Sequence, residues 1–169
     1  PLPEKFKADW IVHGASIASP TFYRKFPLET LDANVLGTRR ILEYSRQGKV
    51  KGVLLLSSSE VYGDPDPSQI PTSEDYEGRV SSFGPRACYD ESKRLAETLA
   101  YIYASYFRVP VTVVRPFNVF GPGQRLDDGR IIPDIMSAVA QRKNIQLFSD
   151  GTATRSFCYI GDFVNGLFS

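Results

Sequence analysis

The 169-residue chain carries a net charge of only +1, two cysteines and no long apolar run, and each shortage excludes a class of function. Near-neutral charge, with Lys and Arg scattered rather than gathered into a basic run, offers no hold on nucleic acid or on an anionic membrane. Cys88 and Cys158 are too few and too distant for a disulfide framework or a metal site, so no metal is expected. Cys88, beside Tyr89, reads as a small packing residue. Val53-Leu54-Leu55-Leu56 is among the longest apolar stretches, far short of the roughly 20 residues of a membrane span. The N-terminus lacks a charged-then-apolar signal pattern. What is present, 42% hydrophobic, 23% charged and 12% aromatic residues, fits a globular protein long enough to bury a core. The expectation is a soluble, reduced, cytoplasmic chain without nucleic-acid or membrane partners.

Taken in order, Trp10-Ile11-Val12-His13 is a short apolar run ending at Gly14-Ala15-Ser16, a buried strand entering a loop. From Leu28, apolar Leu31, Val35 and Leu42 recur at helical spacing with Thr38 on the same stripe. Gly48 is placed to end that helix in a left-handed cap. Val53–Leu56 is continuously apolar, as expected of a central parallel strand covered on both faces. A polar stretch from Gly63 to Pro85, rich in Pro, Asp, Ser and Gly, is a loop of the length that is functional or mobile. A second helix runs from Tyr89 through Leu95, Leu99, Ile102, Tyr103 and Tyr106, and Pro110 leads into the β-branched strand Val111-Thr112-Val113-Val114. The β-α-β-α-β order predicts a doubly wound parallel α/β sheet. Past Asn118 the character changes to Gly121-Pro122-Gly123, a helix over Ile131 to Gln141 and a short strand at Ile145 to Phe148.

The chemistry is concentrated in Tyr89-Asp90-Glu91-Ser92-Lys93. A phenol and an ammonium four residues apart share a helix face. A phenol ionises near pH 10, about three units too high for a base at neutrality, and a nearby positive charge favours its anion. Tyr and Lys are common, and a packing role is the plain alternative. Ser16, Ser58 and Asn118 shift the balance, because each lies just beyond a predicted strand, on the edge where open α/β sheets bind ligands. Serines at such positions also cap helices.

Ser57-Ser58-Ser59-Glu60-Val61-Tyr62-Gly63, the Tyr89-x-x-x-Lys93 pair and Arg115-Pro116-Phe117-Asn118-Val119-Phe120-Gly121-Pro122 together resemble the extended short-chain dehydrogenase/reductases of the NAD-dependent epimerase/dehydratase family. His13-Gly14-Ala15-Ser16 and Gly84-Pro85-Arg86-Ala87-Cys88-Tyr89-Asp90-Glu91 most resemble its UDP-glucuronate decarboxylases. The resemblance covers about Ala8 to Phe168. It implies NAD as cofactor and a nucleotide sugar as substrate. Tyr89 would remove the sugar 4-hydroxyl proton. Lys93 would hold the nicotinamide ribose and keep the Tyr89 pKa low, and Ser58 would hydrogen-bond the reacting oxygen. Ala15 and Ser16 would lie along the cofactor and Pro116 near the nicotinamide. Asn118 and Arg155 would hold the phosphates, Arg155 through bidentate contact. Arg130, after Asp127-Asp128-Gly129, is a candidate cation near the sugar, with a solvated loop charge as the alternative.

The same resemblance implies the C-terminal half of a Rossmann-type sheet. Residues 1–117 would be NAD-binding, without the family's N-terminal Gly-rich turn, and 118–169 would begin a nucleotide-sugar-binding domain, so the chain is expected to be the middle of a longer enzyme. Where related 4,6-dehydratases carry an Asp-Glu pair, this chain has Ser59-Glu60. The acid for expelling a 6-hydroxyl is thus missing, which favours decarboxylation and leaves Glu60 as an acid/base or a group that orients the sugar. A 4-epimerase using the same residues is the alternative, and a non-catalytic dinucleotide-binding relative is disfavoured by the presence of Tyr89. A homodimer is expected through helices 28–47 and 89–107, with Tyr101, Ile102 and Tyr103 supplying apolar surface.

Overall fold

The computed structural model describes residues 7–48, 50–146 and 150–169. They fall into two compact units: the first runs as far as Pro116 without residues 19–21, and the second takes 19–21 and 117–169.

The first unit is built on three parallel strands in the order β1-β2-β3: β1 (Trp10–His13), β2 (Gly52–Leu56) and β3 (Val111–Val114). Ile11, Val53 and Val111 are in register, and His13, Leu55 and Val113 form the next row on the same face. After β1 comes the short helix α1 (Pro20–Lys25). Next is α2 (Pro27–Asp32), with proline at its start, where the missing N–H has no intrahelical partner. The helix continues through a π-helical turn, Ala33–Gly37, into α3 (Thr38–Gln47). That turn brings Asn34 and Thr38 inward, and both are buried. Gly48 ends the helix in extended backbone (φ −96°), not the expected left-handed cap, while its N–H still reaches the Tyr44 carbonyl at 2.9 Å.

The 21-residue helix α4 (Ala87–Phe107) crosses back to β3. Ala96 and Ala100, one turn apart, are fully buried against Leu55, so small side chains let the helix lie close to the sheet. Leu42 of α3 and Tyr103 of α4 share a core with Val50, Val53 and Val109, flanked by Ile11 and Val111. Both connecting helices therefore cover one face. The other face presents Trp10, Val12 and Thr112 to solvent, with Leu54, Leu56 and Val114 half-buried. The apolar run of β2 thus has one packed face and one partly open face. The Trp10 ring lies over Gly52, where an added Cβ would come within 2.4 Å of it.

The polar loop after β2 is pinned. It opens with the 3₁₀ turn Ser59–Tyr62 and closes on Gly63, whose φ of 66° and 2.0 Å clearance between a built Cβ and the Arg79 carbonyl admit only glycine. Arg94 of α4 donates to the carbonyls of Val61 and Glu77 at 3.0 and 2.8 Å.

In the second unit β4 (Asn118–Phe120) pairs in parallel with β5 (Phe157–Tyr159), and Phe120 meets Phe157 and Tyr159 edge-on. Helix α5 (Ile131–Ala140) lies where the sequence predicts it, and α6 (Ile160–Leu167) follows β5 directly. Of the strand expected over 145–148, residues 145 and 146 have no regular structure and 147–148 lie outside the described residues.

Candidate active site

Ser57 and Ser58 extend β2 beyond its last residue, and both are buried. The Ser58 hydroxyl accepts from the Glu60 N–H at 3.2 Å, capping the 3₁₀ turn. The Ser58 hydroxyl is close enough to the Tyr89 phenol to favour its anion. Tyr89 sits in the first turn of α4, buried, with its ring stacked on that of Tyr23 at 5.2 Å and 15°. Burial raises the Tyr89 pKa; the Ser58 hydroxyl opposes this, while Glu60, Asp90 and Tyr23 reinforce it. Lys93 is only 5% exposed; its ammonium donates to the Leu56 carbonyl at 2.8 Å and lies 5.8 Å from the Tyr89 ring centroid. Burial pulls the ammonium down to about 8, against the opposing charge of Glu97. The expected lowering of the Tyr89 pKa by Lys93 is therefore not what this geometry gives: desolvation and two carboxylates outweigh it.

Ala15 is exposed in the loop after β1, and the Ser16 hydroxyl is enclosed without a hydrogen-bond partner among the described residues. A buried orphan hydroxyl costs free energy unless something completes it, which fits a polar ligand along this strand end. The Pro116 carbonyl accepts from Ser59 N–H at 3.0 Å, so Pro116 stands against the Ser58–Glu60 turn. The buried His13 ring shares a 3.0 Å hydrogen bond with Thr38; burial and the Lys93 charge both lower its pKa, favouring the neutral ring. Ser58, Glu60, Tyr89, Lys93 and Pro116 are thus gathered at the carboxyl edge of the sheet, with Ala15 and Ser16 beyond the end of β1.

The sequence reading missed two groups here. Arg86 forms an ion pair with Glu60 and a longer one, 3.4 Å, with Asp90. Asp90 is buried, one carboxylate oxygen has no hydrogen-bond partner, and burial pushes its pKa up to about 6. The i,i+4 spacing of Arg86 and Asp90 was a readable signal; the approach of Glu60 from a separate turn was not. Asn34, from the π-helical turn, donates to the Ser92 hydroxyl at 2.8 Å and is a third unforeseen neighbour.

The remaining candidates belong to the second unit. Asn118 opens β4, where it was expected just past a strand end, and donates to the Ser156 carbonyl at 3.0 Å, next to Arg155. Arg155 is exposed and donates to the adjacent Thr154 carbonyl at 2.7 Å. Arg130, capping α5, is paired with the buried carboxylate of Asp128 rather than left as a free cation.

The family profile described as NAD dependent epimerase/dehydratase matches residues 2–168. The chain is 43% identical over 165 residues to UDP-glucuronic acid decarboxylase 1 of Xenopus tropicalis and 40% identical over 165 residues to UDP-glucuronic acid decarboxylase 5 of Arabidopsis thaliana. Each alignment takes 98% of this chain but only 38% and 48% of the relative, so the chain spans less than half the length of these curated relatives. Among solved structures, UDP-glucuronic acid 4-epimerase from Bacillus cereus, in complex with UDP-glucuronic acid and NAD, matches with a TM-score of 0.81 at 28% identity. That match covers 95% of this chain and 48% of the other. The NAD-dependent NDP-hexosamine 5,6-dehydratase of tunicamycin biosynthesis matches with a TM-score of 0.82 at 34% identity, covering 96% and 50%. With nearly every residue inside the profile and a sheet edge that carries Ser58, Tyr89 and Lys93, the chain belongs to the NAD dependent epimerase/dehydratase family.

Proposed function

We propose that this chain carries the proton-transfer centre of an NAD-linked nucleotide-sugar enzyme that decarboxylates UDP-glucuronate to UDP-xylose. The observation that carries the proposal is the buried Tyr89 with the ammonium of buried Lys93 5.8 Å from its ring centroid, in a chain 40–43% identical to UDP-glucuronic acid decarboxylases. Residues up to 117 would hold the cofactor and 118–169 would begin the nucleotide-sugar site, with Asn118 and Arg155 on the phosphates and Arg130 near the sugar.

Lys93 and Ser16 would hold the nicotinamide half, with Ala15 and Pro116 against it; Ser16 supplies the unpaired hydroxyl and Lys93 the buried ammonium. NAD, when bound, would supply the hydride acceptor, the returning hydride and a positive charge. Tyr89 takes the proton of the sugar 4-hydroxyl, and Ser58 holds the C4 oxygen while it becomes a ketone. That ketone is β to the C6 carboxylate, so the C5–C6 bond breaks with its electron pair flowing into the ketone and carbon dioxide leaving. An acid must then protonate C5, and Glu60 and Asp90, joined through Arg86, are the carboxyl groups near the phenol. Tyr89 finally returns its proton to the C4 oxygen. The 4-epimerase reading keeps every group and omits the C5–C6 cleavage; the match to the Bacillus cereus enzyme supports it as the second reading.

Ser59 tests where the substrate carboxylate lies, and the product of the parent separates the two readings. It stands in the 3₁₀ turn beside Ser58, and a carboxylate there, about 4 Å from a substrate carboxylate, would repel it by roughly 4 kcal/mol at an effective dielectric of 20. The test is carbon dioxide release from UDP-glucuronate, alongside UDP-glucose affinity, for the parent and Ser59→Asp in the same salt. Loss of release with UDP-glucose affinity retained is expected. Epimerised uronate without carbon dioxide from the parent would replace decarboxylation by epimerisation. We further propose a homodimer through the helical run 28–47 and α4; Leu31 and Val35 of the first and Leu95 and Thr98 of the second line one open cleft of about 670 Å³.

A further inference from the structure

The segments that bring Ser58, Glu60, Tyr89, Lys93 and Pro116 to the sheet edge are tied to one ion pair that the chemistry above does not use. Glu97 lies one helical turn beyond Lys93 and two beyond Tyr89, on the same face of α4. Arg115, the residue after β3, grips it with two parallel bonds: Nε to Oε1 at 2.9 Å and Nη2 to Oε2 at 2.7 Å. The Ser57 hydroxyl, next to Ser58, donates to the same Glu97 Oε1 at 2.5 Å. The remaining Arg115 nitrogen, Nη1, donates to the Tyr62 hydroxyl at 3.1 Å, at the end of the turn that holds Glu60, and to the Glu74 carbonyl of the long loop at 2.9 Å. The guanidinium also lies over the Tyr62 ring, 4.9 Å from its centroid. Pro116, the next residue in the chain, receives the Ser59 N–H.

We propose that Glu97 and Arg115 are a positioning pair, fixing Ser58, Glu60 and Pro116 against Tyr89 and Lys93 and keeping Lys93 charged during turnover. A bidentate fork constrains angle as well as distance, so it sets the pitch of the strand ends against α4 in a way a point charge cannot. The pair is half-shielded, with side chains 27% and 17% exposed, so water screens it less than an open surface pair. The electrostatic part follows from what surrounds Lys93: Glu97 and Tyr89 from its own helix and His13 from β1, whose ring is driven toward the neutral form. Glu97 is the charge opposing the loss of the Lys93 proton.

This inference rests on the NAD-linked reading above, and the experiment separates the two. In the intact NAD-loaded protein, Glu97→Gln is expected to lower kcat by about tenfold or more, toward the hundredfold that misplacement by about 1 Å costs, with KM nearly unchanged. The alkaline limb of its pH profile moves to below the value of about 8 that Lys93 has in the parent. In the cofactor-free protein, NMR titration of the Lys93 Cε resonance shows the same acidward shift. Arg115→Lys keeps the charge but cannot fork, so kcat falls and the alkaline limb stays. A merely structural pair would lower the melting temperature and leave kcat per folded molecule and the Lys93 titration in place; that result overturns the proposal. Should Glu97→Gln not fold, Arg115→Lys and Ser57→Ala decide, and parent-like kcat in both overturns it. A parent that releases no carbon dioxide, but whose Lys93 titration shifts on Glu97→Gln, removes the decarboxylase reading alone.

Discussion

A buried phenol beside Glu60 and Asp90 keeps its proton at neutral pH, so Tyr89 can act as a base only when opposite charge reaches it. Removing the hydroxyl by Tyr89→Phe leaves the Tyr23 stack in place and deletes the proton acceptor. Turnover should fall by about 10²–10⁴-fold with an unchanged circular dichroism spectrum. Asp90 gives the pH-dependent prediction. Its pKa is raised from 3.8 to about 6, so the ionised form is the disfavoured one in the fold. The stability it contributes is fully present below its unfolded value and is lost as pH rises through about 6. Asp90→Asn should therefore raise the melting temperature on the alkaline side of pH 6, by about 2 °C or more, and leave it unchanged well below the unfolded value. Thermal scans at both ends of that window check the sign.

At the scale of elements, the long ones were legible. Continuous apolar runs marked β1, β2 and β3, and the stripe from Leu95 to Tyr106 marked α4. The short ones were not: β4 and β5 have three residues each, and α1 has six, too few to show a period. The π-helical turn had no signature either, because Ala33–Gly37 continues a helical pattern while changing which residues face inward. Hence Thr38 was seen on the stripe, but the hydrogen bonds of Asn34 to Ser92 and of Thr38 to His13 were not. In the site, residues flanking strands and sharing a helix face could be read from spacing. Ion pairs such as Glu60–Arg86 could not, since a chain separation of 26 residues carries no geometric information. Helix α4 offers a packing test. Ala96 has 1% of its surface exposed, and Ala96→Leu forces branched volume between helix and sheet. A loss of about 1–3 kcal/mol in urea-midpoint measurements is expected.

For the molecule as a whole, association is the property most open to measurement. Tyr103, expected to face a partner, packs instead in the core and bonds Glu43 through its hydroxyl at 3.1 Å. Leu28 and Leu31 of α2 are left exposed, at 75% and 42%, as are Leu95, Tyr101, Tyr106 and Phe107 of α4, at 46%, 66%, 74% and 49%. Sedimentation of the intact protein at micromolar concentration should show a dimer, and replacing Leu31 and Leu95 by Glu should return it to monomer; a parent that sediments as a monomer removes the homodimer.

The ring of Trp10 over Gly52 has an optical consequence. It is the only indole in the chain, and it is 70% exposed on the open face of the sheet. Excited at the red edge, where the nine tyrosines do not absorb, the protein has one emitter, stationed on that face. Whatever settles there will turn its emission blue and shield it from acrylamide, so the occupancy of this surface can be followed by colour alone.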